Sequence, residues 1–305
     1  MLQYLGIRDG DSNIRLEGDA PLRYQLKKIS LASRLAIEPK GLEFDAQALS
    51  ARLDVDKLPE LNLIGALAYR DSSSAQTIAV NDLRIETAAS RLTVSGELVG
   101  LDHGKLNARL DLQRLAPNDI GRLVAGWPVQ TIVSGAIQAN GPLDALVVKS
   151  DLSAAGATLN SELTVDALTP TTQYRGTIKV AAFDPRKVLG STEFGGVLDG
   201  ETRVEGKAFD VTQASASGTF NLRAMQVKAW ALGNMRLNAE LRAGVVAVDG
   251  DLSGAIGSAD WRGKVSLAKV PNYDFALAVH KLDIKKVAGS EEVPQSLVSF
   301  KAAAR

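Results

Sequence analysis

The sequence predicts an all-β protein: a long antiparallel β-groove with a few short helical insertions. Three observations support this class. Apolar and polar residues alternate through most of the chain, turn-forming residues separate the alternating segments, and only three short segments favour a helix. Alternation with a period of two places apolar side chains on one face of a strand and polar side chains on the other. We therefore expect roughly 18–20 short strands joined as hairpins.

The alternation is clearest where leucine, valine or glycine occupies every second position. Examples of one-parity sets are Leu92, Val94, Gly96 and Leu98; Leu106, Ala108, Leu110 and Leu112; Leu159, Ser161, Leu163 and Val165; Met235, Leu237, Ala239 and Leu241; and Trp261, Gly263, Val265 and Leu267. Turns are predicted at Arg8-Asp9-Gly10-Asp11, Pro39-Lys40-Gly41, Asp71-Ser72-Ser73-Ser74, Asp102-His103-Gly104, Asn140-Gly141-Pro142 and Asp249-Gly250-Asp251.

Short helical segments are expected at about 118–124, 185–189 and 284–288, and each follows a strand that ends in an apolar residue and an aspartate. The three pairs are Leu110-Asp111, Phe183-Asp184 and Leu282-Asp283. An aspartate caps free amides at a helix start, and proline fits the first helical position. The recurrence indicates loose internal repeats, approximately 1–115, 116–190 and 191–305, within a single elongated segment.

Composition excludes several classes of function. Lys+Arg and Asp+Glu both number 35, so no bulk positive charge attracts nucleic acid, and we predict no nucleic-acid partner. The chain has no cysteine and only two histidines, which excludes thiolate chemistry and a multi-histidine metal site within one chain. Glu43, Asp45, Asp54, Asp56 and Glu60 form an acidic cluster without calcium-loop spacing. We predict no enzyme, catalytic residue, metal or cofactor.

Four architectures suit so many strands. A transmembrane barrel would need aromatic girdles, and three Trp and five Tyr are few for that. A parallel β-helix would need a tight rung repeat, and separate sandwiches would need linkers; neither is present. The remaining architecture is one long sheet, curled so that its apolar face lines a trough. Small inner residues such as Gly250 and Gly263 would leave room for an apolar guest.

The stretch from Val133 to Leu146, with a glycine-containing strand and a Gly-Pro-Leu turn, resembles the AsmA-like/TamB family. The return strand 147–152, the Asp-Pro-x-Lys-Val-Leu segment at 184–189 and the glycine-rich meander 244–267 are also similar to that family. The resemblance covers most of the chain, weakly at 1–60. It implies a β-groove (a "β-taco") that carries phospholipid across the periplasm as a bridge.

The resemblance also implies a location and partners. Family members are anchored in the inner membrane by an N-terminal helix, which we do not find in this chain. The TamB branch works with an outer-membrane β-barrel protein of the Omp85 class and is linked to outer-membrane protein assembly. We therefore expect an interior segment of a longer periplasmic protein, with anchor and docking regions outside it.

The predicted lipid-binding residues are inward-facing aliphatic and aromatic side chains that would shield acyl chains. They are Leu92, Val94, Leu98, Leu106, Leu110, Leu159, Leu163, Val165, Leu237, Leu241, Val248, Val265, Phe275 and Leu277. For any single residue, plain core packing is the competing interpretation. The alternative function is a structural or adhesive β-rod without cargo; an outer-membrane barrel and a polysaccharide hydrolase are further alternatives.

Overall fold

The computed structural model describes residues 2–16, 22–38, 41–55, 60–72, 75–101, 103–124, 126–169, 171–207, 210–228, 230–267, 272–288 and 296–304. The chain divides into two compact units. Unit 1 comprises Met1–Ala154 and Asp166–Leu168, and unit 2 comprises Ala155–Val165 and Thr169–Arg305. The predicted repeats at 1–115, 116–190 and 191–305 stay a prediction.

Unit 1 is an antiparallel meander in which each strand pairs with its neighbour in the sequence. Its strands are β1 (Leu2–Leu16), β2 (Leu22–Glu38), β3 (Gly41–Val55), β4 (Leu61–Ser72), β5 (Gln76–Glu86), β6 (Arg91–Val99), β7 (Lys105–Leu115), β8 (Val133–Pro142) and β9 (Leu146–Ala154). Helix α1 (Pro117–Leu123) follows β7, and a short 3-10 turn (Leu143–Ala145) follows β8.

Unit 2 repeats this plan. Its strands are β10 (Ala157–Asp166, whose last residue belongs to unit 1), β11 (Gln173–Phe183), β12 (Phe194–Lys207), β13 (Ser215–Val227), β14 (Trp230–Arg242), β15 (Val245–Gly254), β16 (Gly257–Ser266), β17 (Tyr273–Asp283) and β18 (Leu297–Ala304). Helices α2 (Pro185–Val188) and α3 (Ile284–Ala288) follow β11 and β17. The all-β antiparallel class, the strand number and the three short helices are confirmed. The curling of the sheet into a trough stays a prediction.

Two predicted turns are wrong, because the chain continues as a strand through them. Arg8-Asp9-Gly10-Asp11 lies inside β1, where Asp9 has a φ of 50° and forms a β-bulge instead of a chain reversal. Asp249-Gly250-Asp251 lies inside β15, and its central glycine faces Trp261 on β16. The strands are consequently longer than expected. Pro39-Lys40-Gly41, Asp71-Ser72-Ser73-Ser74 and Asp102-His103-Gly104 lie at junctions between consecutive strands, although residues 39, 40, 73, 74 and 102 lie outside the described residues. Asn140-Gly141-Pro142 is the end of β8, and the chain reverses in the 3-10 turn that follows it.

A recurrent β-bulge shapes both units. In five strands besides β1 the register shifts at a non-glycine residue with φ between 47° and 54°. The backbone N–H of that residue donates to a polar side chain on the adjacent strand. The five bonds run from Lys28 to Asp11, from Asp82 to Ser95, from Ala182 to Asp199, from Ala224 to Asn234 and from Lys281 to Ser299, at 2.8–3.2 Å. The side-chain acceptor satisfies a donor that the bulge removes from the ladder.

The Asp-Pro cap predicted at residues 184–185 is confirmed, and Asp283 caps α3 in the same way. The Asp184 carboxylate accepts the backbone N–H of Arg186 at 3.0 Å, and that of Asp283 accepts the N–H of Lys286 at 3.3 Å. Asp111 lies within β7 and binds Arg109 on its own strand at 2.6 Å, and the hydrogen bond from Arg109 lowers the pKa of this carboxyl group.

Helix α1 is instead held by the turn between β5 and β6. The Asp119 carboxylate accepts hydrogen bonds from Thr87 at 2.6 Å and Ser90 at 2.5 Å, while Ser90 accepts the N–H of Ala116 at 2.9 Å. Trp127, which follows this helix, is half-buried, and its indole N–H has no hydrogen-bond partner. The sequence offered no pattern that links Asp119 to a turn about 30 residues earlier.

Replacing Asp184 with alanine should destabilise the protein by about 1 kcal/mol at pH 7, because the cap of α2 is lost. Burial raises the pKa of Asp184, but the hydrogen bonds and positive charge of Arg186 outweigh it and lower the pKa below its ordinary value. A lowered pKa means that the ionised carboxylate stabilises the fold above the unfolded pKa of about 3.9 and stops doing so as the pH falls through the folded value. Urea unfolding of wild type and variant at pH 7 and at pH 3 measures both effects. A difference in stability that grows toward low pH would contradict the assignment.

Candidate functional site: an apolar sheet face

The predicted residues of unit 1 lie on one face of its sheet. Leu98 on β6 pairs with Leu106 on β7, and Val94 pairs with Leu110. Directly paired residues of an antiparallel sheet point to the same face. The five predicted residues of β6 and β7 therefore form part of a single apolar surface.

The register extends this surface into rows that run across the strands. Two rows cross five strands each: Tyr69, Ile78, Leu98, Leu106 and Gly141; and Leu67, Val80, Gly96, Ala108 and Ala139. A third row comprises Leu63, Ile85, Leu92, Leu112 and Gly135. Apolar contact is thus continuous perpendicular to the strands.

Unit 2 has the same arrangement over more strands. One row comprises Val180, Gly200, Phe220, Leu237, Gly250, Trp261, Leu277 and Ala302, and the next comprises Ile178, Thr202, Gly218, Ala239, Val248, Gly263, Phe275 and Ala304. A third comprises Val204, Ala216, Leu241, Val246, Val265 and Tyr273. All six predicted residues of β14–β17 lie on these rows.

The three predicted residues of β10 are Leu159, Leu163 and Val165. Leu163 lies opposite Gly176 of β11, where a Cβ added to the glycine would come within 2.8 Å of the Leu163 Cα. Leu159 is 37% exposed, and the other thirteen predicted residues are half-buried. The binding of lipid by these fourteen residues stays a prediction.

No second layer covers this face in the described parts of the chain. No large side chain there is fully buried, and half of the buried apolar positions are alanines. A two-layer sandwich would enclose its inward-facing leucines and phenylalanines completely. The aliphatic side chains of these sheets are shielded only by their neighbours on the same face.

Aromatic rings cover several glycines of the face. The ring of Phe275 lies over Gly263, and a Cβ on Gly250 would come within 2.7 Å of the Trp261 ring. Phe220 covers Gly200 in the same way. Our expectation that Gly250 and Gly263 leave open room is therefore wrong: each is paired across the strands with an aromatic residue whose ring fills the space.

The opposite face of unit 2 is polar. Its cross-strand contacts include Thr219 to Asn238 at 3.0 Å, Asn238 to Asp249 at 3.0 Å and the Lys179–Glu201 ion pair at 3.3 Å. A depression of about 1060 Å³ lies on this face. Its lining comprises polar and charged residues, namely Glu201, Arg203, Ser217, Thr219, Asn238, Glu240, Asp249, Arg262, Lys264 and Asp274, together with apolar residues that include Ala247, Val248, Phe275, Ala276 and Ala303. The two faces of the sheet thus differ sharply in chemistry.

Two residues of the acidic cluster have ordinary ion-pair partners. Glu43 binds Arg70 at 3.0 Å and Glu60 binds Arg52 at 2.9 Å. Residue 56 and the side chain of Asp54 lie outside the described residues. His103 is exposed, and His280 contacts Asp260 at 2.7 Å on the polar face.

Other candidate chemistry has structural explanations. Gly195 lies under the Arg186 guanidinium, which also donates to Asp184 and to Gln226. The pKa of Asp210 is lowered because its carboxylate accepts hydrogen bonds from Thr212 in a turn. Among the described residues, no group of three metal-binding side chains occurs, and no helix is long and apolar enough to cross a membrane.

The distinctive features of this chain are its meander topology, its apolar rows and its bulges. Comparisons with protein-family models, with curated proteins and with solved structures found no match to this chain.

Proposed function

We propose that this chain is a segment of a bridge-like phospholipid transport protein, whose apolar sheet face shields acyl chains across the periplasm. The observation that carries the proposal is the uncovered apolar face: aliphatic residues form rows across successive strands, yet they remain half-exposed. Exposed apolar surface of this extent is characteristic of a binding surface.

The direction of the rows suits an extended hydrocarbon chain. A row of unit 2 crosses eight strands, from Val180 on β11 to Ala302 on β18. At about 4.8 Å between strands, seven intervals extend roughly 34 Å. The hydrocarbon core of a bilayer, which contains two acyl chains end to end, is about 30 Å thick. One row is therefore longer than a single acyl chain.

The energetic benefit is that of removing methylene groups from water. Each buried methylene contributes about 0.8 kcal/mol, so a 16-carbon chain exposed to water would cost on the order of 13 kcal/mol. The aliphatic rows lower this cost, and the open face leaves the charged head group in water. The function that we propose needs no chemical step and no cofactor.

The cellular setting rests on the resemblance to the AsmA-like/TamB family. We propose a periplasmic location, with the full-length protein anchored in the inner membrane by a helix outside this chain. We also propose an Omp85-class outer-membrane partner, which contacts regions outside this chain, and a role in outer-membrane protein assembly.

A structural or adhesive rod is the second candidate, and the aromatic–glycine pairs favour it. Rings that fill the space over Gly200, Gly250 and Gly263 make the face of unit 2 shallower than an empty trough. A rod would purify without ligand. Native mass spectrometry of the purified chain separates the two functions, because a transport segment should retain phospholipid.

Photo-crosslinking tests which face meets lipid. A crosslinking amino acid at Leu237, on an apolar row, should capture phospholipid in membrane extracts, whereas one at its sequence neighbour Arg236 should not. Arg236 is exposed and points to the polar face, so the pair is matched in strand and in position along it. Capture would be measured by mass spectrometry of the crosslinked product. Equal capture at both positions would rule out selective binding by the apolar face.

Replacing Leu237 with arginine should lower the amount of bound phospholipid by about tenfold, because it removes contact with roughly two methylene groups. The matched control is Asn238→Arg, which adds the same charge to the polar face of β14. Lipid bound per protein and the unfolding temperature would be measured for each. If both variants keep the wild-type lipid content while remaining folded, the apolar face is not the binding surface.

A further inference from the structure

The apolar face of unit 2 has a fourth row, near the ends of β11, β13, β15 and β17. This fourth row comprises Phe183, Leu198, Leu222, Met235, Leu252, Ala259, Val279 and Phe300. Farther toward the same end of the strands, Phe194 on β12 pairs with Val227 on β13, and Val227 pairs with Trp230 on β14. We call these three residues the aromatic edge.

The aromatic edge lies on the apolar face. Phe194 has the same parity as Leu198 on β12, because the nearby bulge places its extra residue on β13. Gly195 and Gln226 pair with each other on the other face, where the Arg186 side chain lies over Gly195 and donates to Gln226 at 2.8 Å. The side chain that α2 contributes at this end therefore lies on the polar face.

The rings of the aromatic edge are more accessible than those of the inner rows. Phe194 is 55% exposed and Trp230 is 56% exposed, whereas Phe220, Trp261 and Phe275 are half-buried. Accessible aromatic rings at the margin of an apolar surface are typical of the boundary between hydrocarbon and head groups.

An exposed ion pair flanks the aromatic edge. The Lys228 Nζ lies 3.5 Å from Oε2 of Glu193, and the two side chains are 73% and 55% exposed. Glu193 precedes Phe194 in the sequence and Lys228 follows Val227, and the backbone N–H of Lys228 donates to the Glu193 carbonyl oxygen at 2.8 Å. This end of the apolar face thus combines one cation and one carboxylate with two accessible aromatic rings.

We propose that the aromatic edge and this ion pair form a head-group site for a zwitterionic phospholipid that carries an ammonium group. The lipid phosphate pairs with Lys228, its ammonium pairs with Glu193, and its acyl chains lie along the fourth row. An exposed ion pair contributes little to stability, so the head group can replace it at low cost. This inference rests on the proposed function, because it assigns the head group of a lipid whose chains the apolar face holds.

The Glu193 carboxylate provides the selectivity of the site. An anionic phospholipid without an ammonium group would bring a second negative charge to Glu193, and like charges repel. An ammonium group is also attracted to the face of an aromatic ring such as that of Trp230. The site therefore favours an ammonium-bearing head group over an anionic head group on the same acyl chains.

Competition between two lipids with identical acyl chains tests this selectivity. The full chain would be incubated with mixed micelles that contain equal amounts of palmitoyl-oleoyl phosphatidylethanolamine and phosphatidylglycerol, and native mass spectrometry would count each bound lipid. We expect about fivefold more bound phosphatidylethanolamine, and Glu193→Gln should reduce this ratio to about one. The matched control is Glu201→Gln, which removes a similarly exposed carboxylate from the polar face, where it pairs with Lys179 at 3.3 Å, and should keep the wild-type ratio.

The lysine of the site has a different expected effect. Because both lipids carry a phosphate, Lys228→Gln should lower the amount of each bound lipid by about threefold. Lys179→Gln, on the polar face, is its control and should leave both amounts unchanged. Circular dichroism of the four variants should match the wild type, since all four side chains are largely exposed.

Equal binding of the two lipids by the wild type would overturn the head-group site and leave the proposed function standing. A preference that Glu193→Gln and Glu201→Gln change to the same extent would do so as well. A wild-type chain that binds neither lipid would overturn the proposed function together with the head-group site.

Discussion

The structure depends on one constraint: a single-layer sheet has two faces, and its sequence must suit both without a second layer. Alternation assigns apolar residues to one face and polar residues to the other, and the register then aligns them across the strands. In unit 2 this gives apolar rows on one side, and a charged depression with hydrogen bonds between Thr219, Asn238 and Asp249 on the other. Stability must come mainly from strand pairing and from contacts within each face.

This constraint explains the distribution of small and large residues. On a face without a covering layer, an isolated leucine buries little apolar area and therefore adds little stability. A glycine within a strand leaves its backbone exposed to water. The pairs Gly263–Phe275 and Gly250–Trp261 reduce this backbone exposure, because the aromatic ring on one strand covers the glycine on the neighbouring strand. The resulting surface is continuous and apolar, but it is shallower than a surface on which the glycines were left uncovered.

Much of the fold could be predicted from the sequence, because its main determinant is local. Period-two alternation gives the strands and their faces, and Asp-Pro before a helical turn gives α2 and its cap at Asp184. The bulges could not be predicted in this way. Their positive φ values occur at Lys28, Ala182 and Ala224, residue types that carry no signal for that conformation.

The remaining differences arise from tertiary contacts. Asp111 preceded a predicted helix, but Arg109 two residues earlier provides a closer partner within β7. No sequence pattern marks Gly195. In the structure the Arg186 side chain lies over it, in the space that a Cβ at this position would occupy. The candidate residues share one face as alternation predicts, whereas the depth of that face depends on which aromatic ring the register places over which glycine.

The bulge bonds have a consequence for how such a chain avoids misfolding. Strands of similar pattern can pair with the wrong neighbour or slip by two residues without exposing apolar side chains. The backbone N–H of Ala224 donates to the Asn234 side chain in the native register, and a slipped β13–β14 hairpin would lose this hydrogen bond. The bond from Lys281 to Ser299 has the same effect for β17 and β18. Each such bond therefore favours the native register of its own hairpin. Because the donor and the acceptor lie on the two strands of one hairpin, we expect any lengthening of this protein by gene duplication to add whole hairpins.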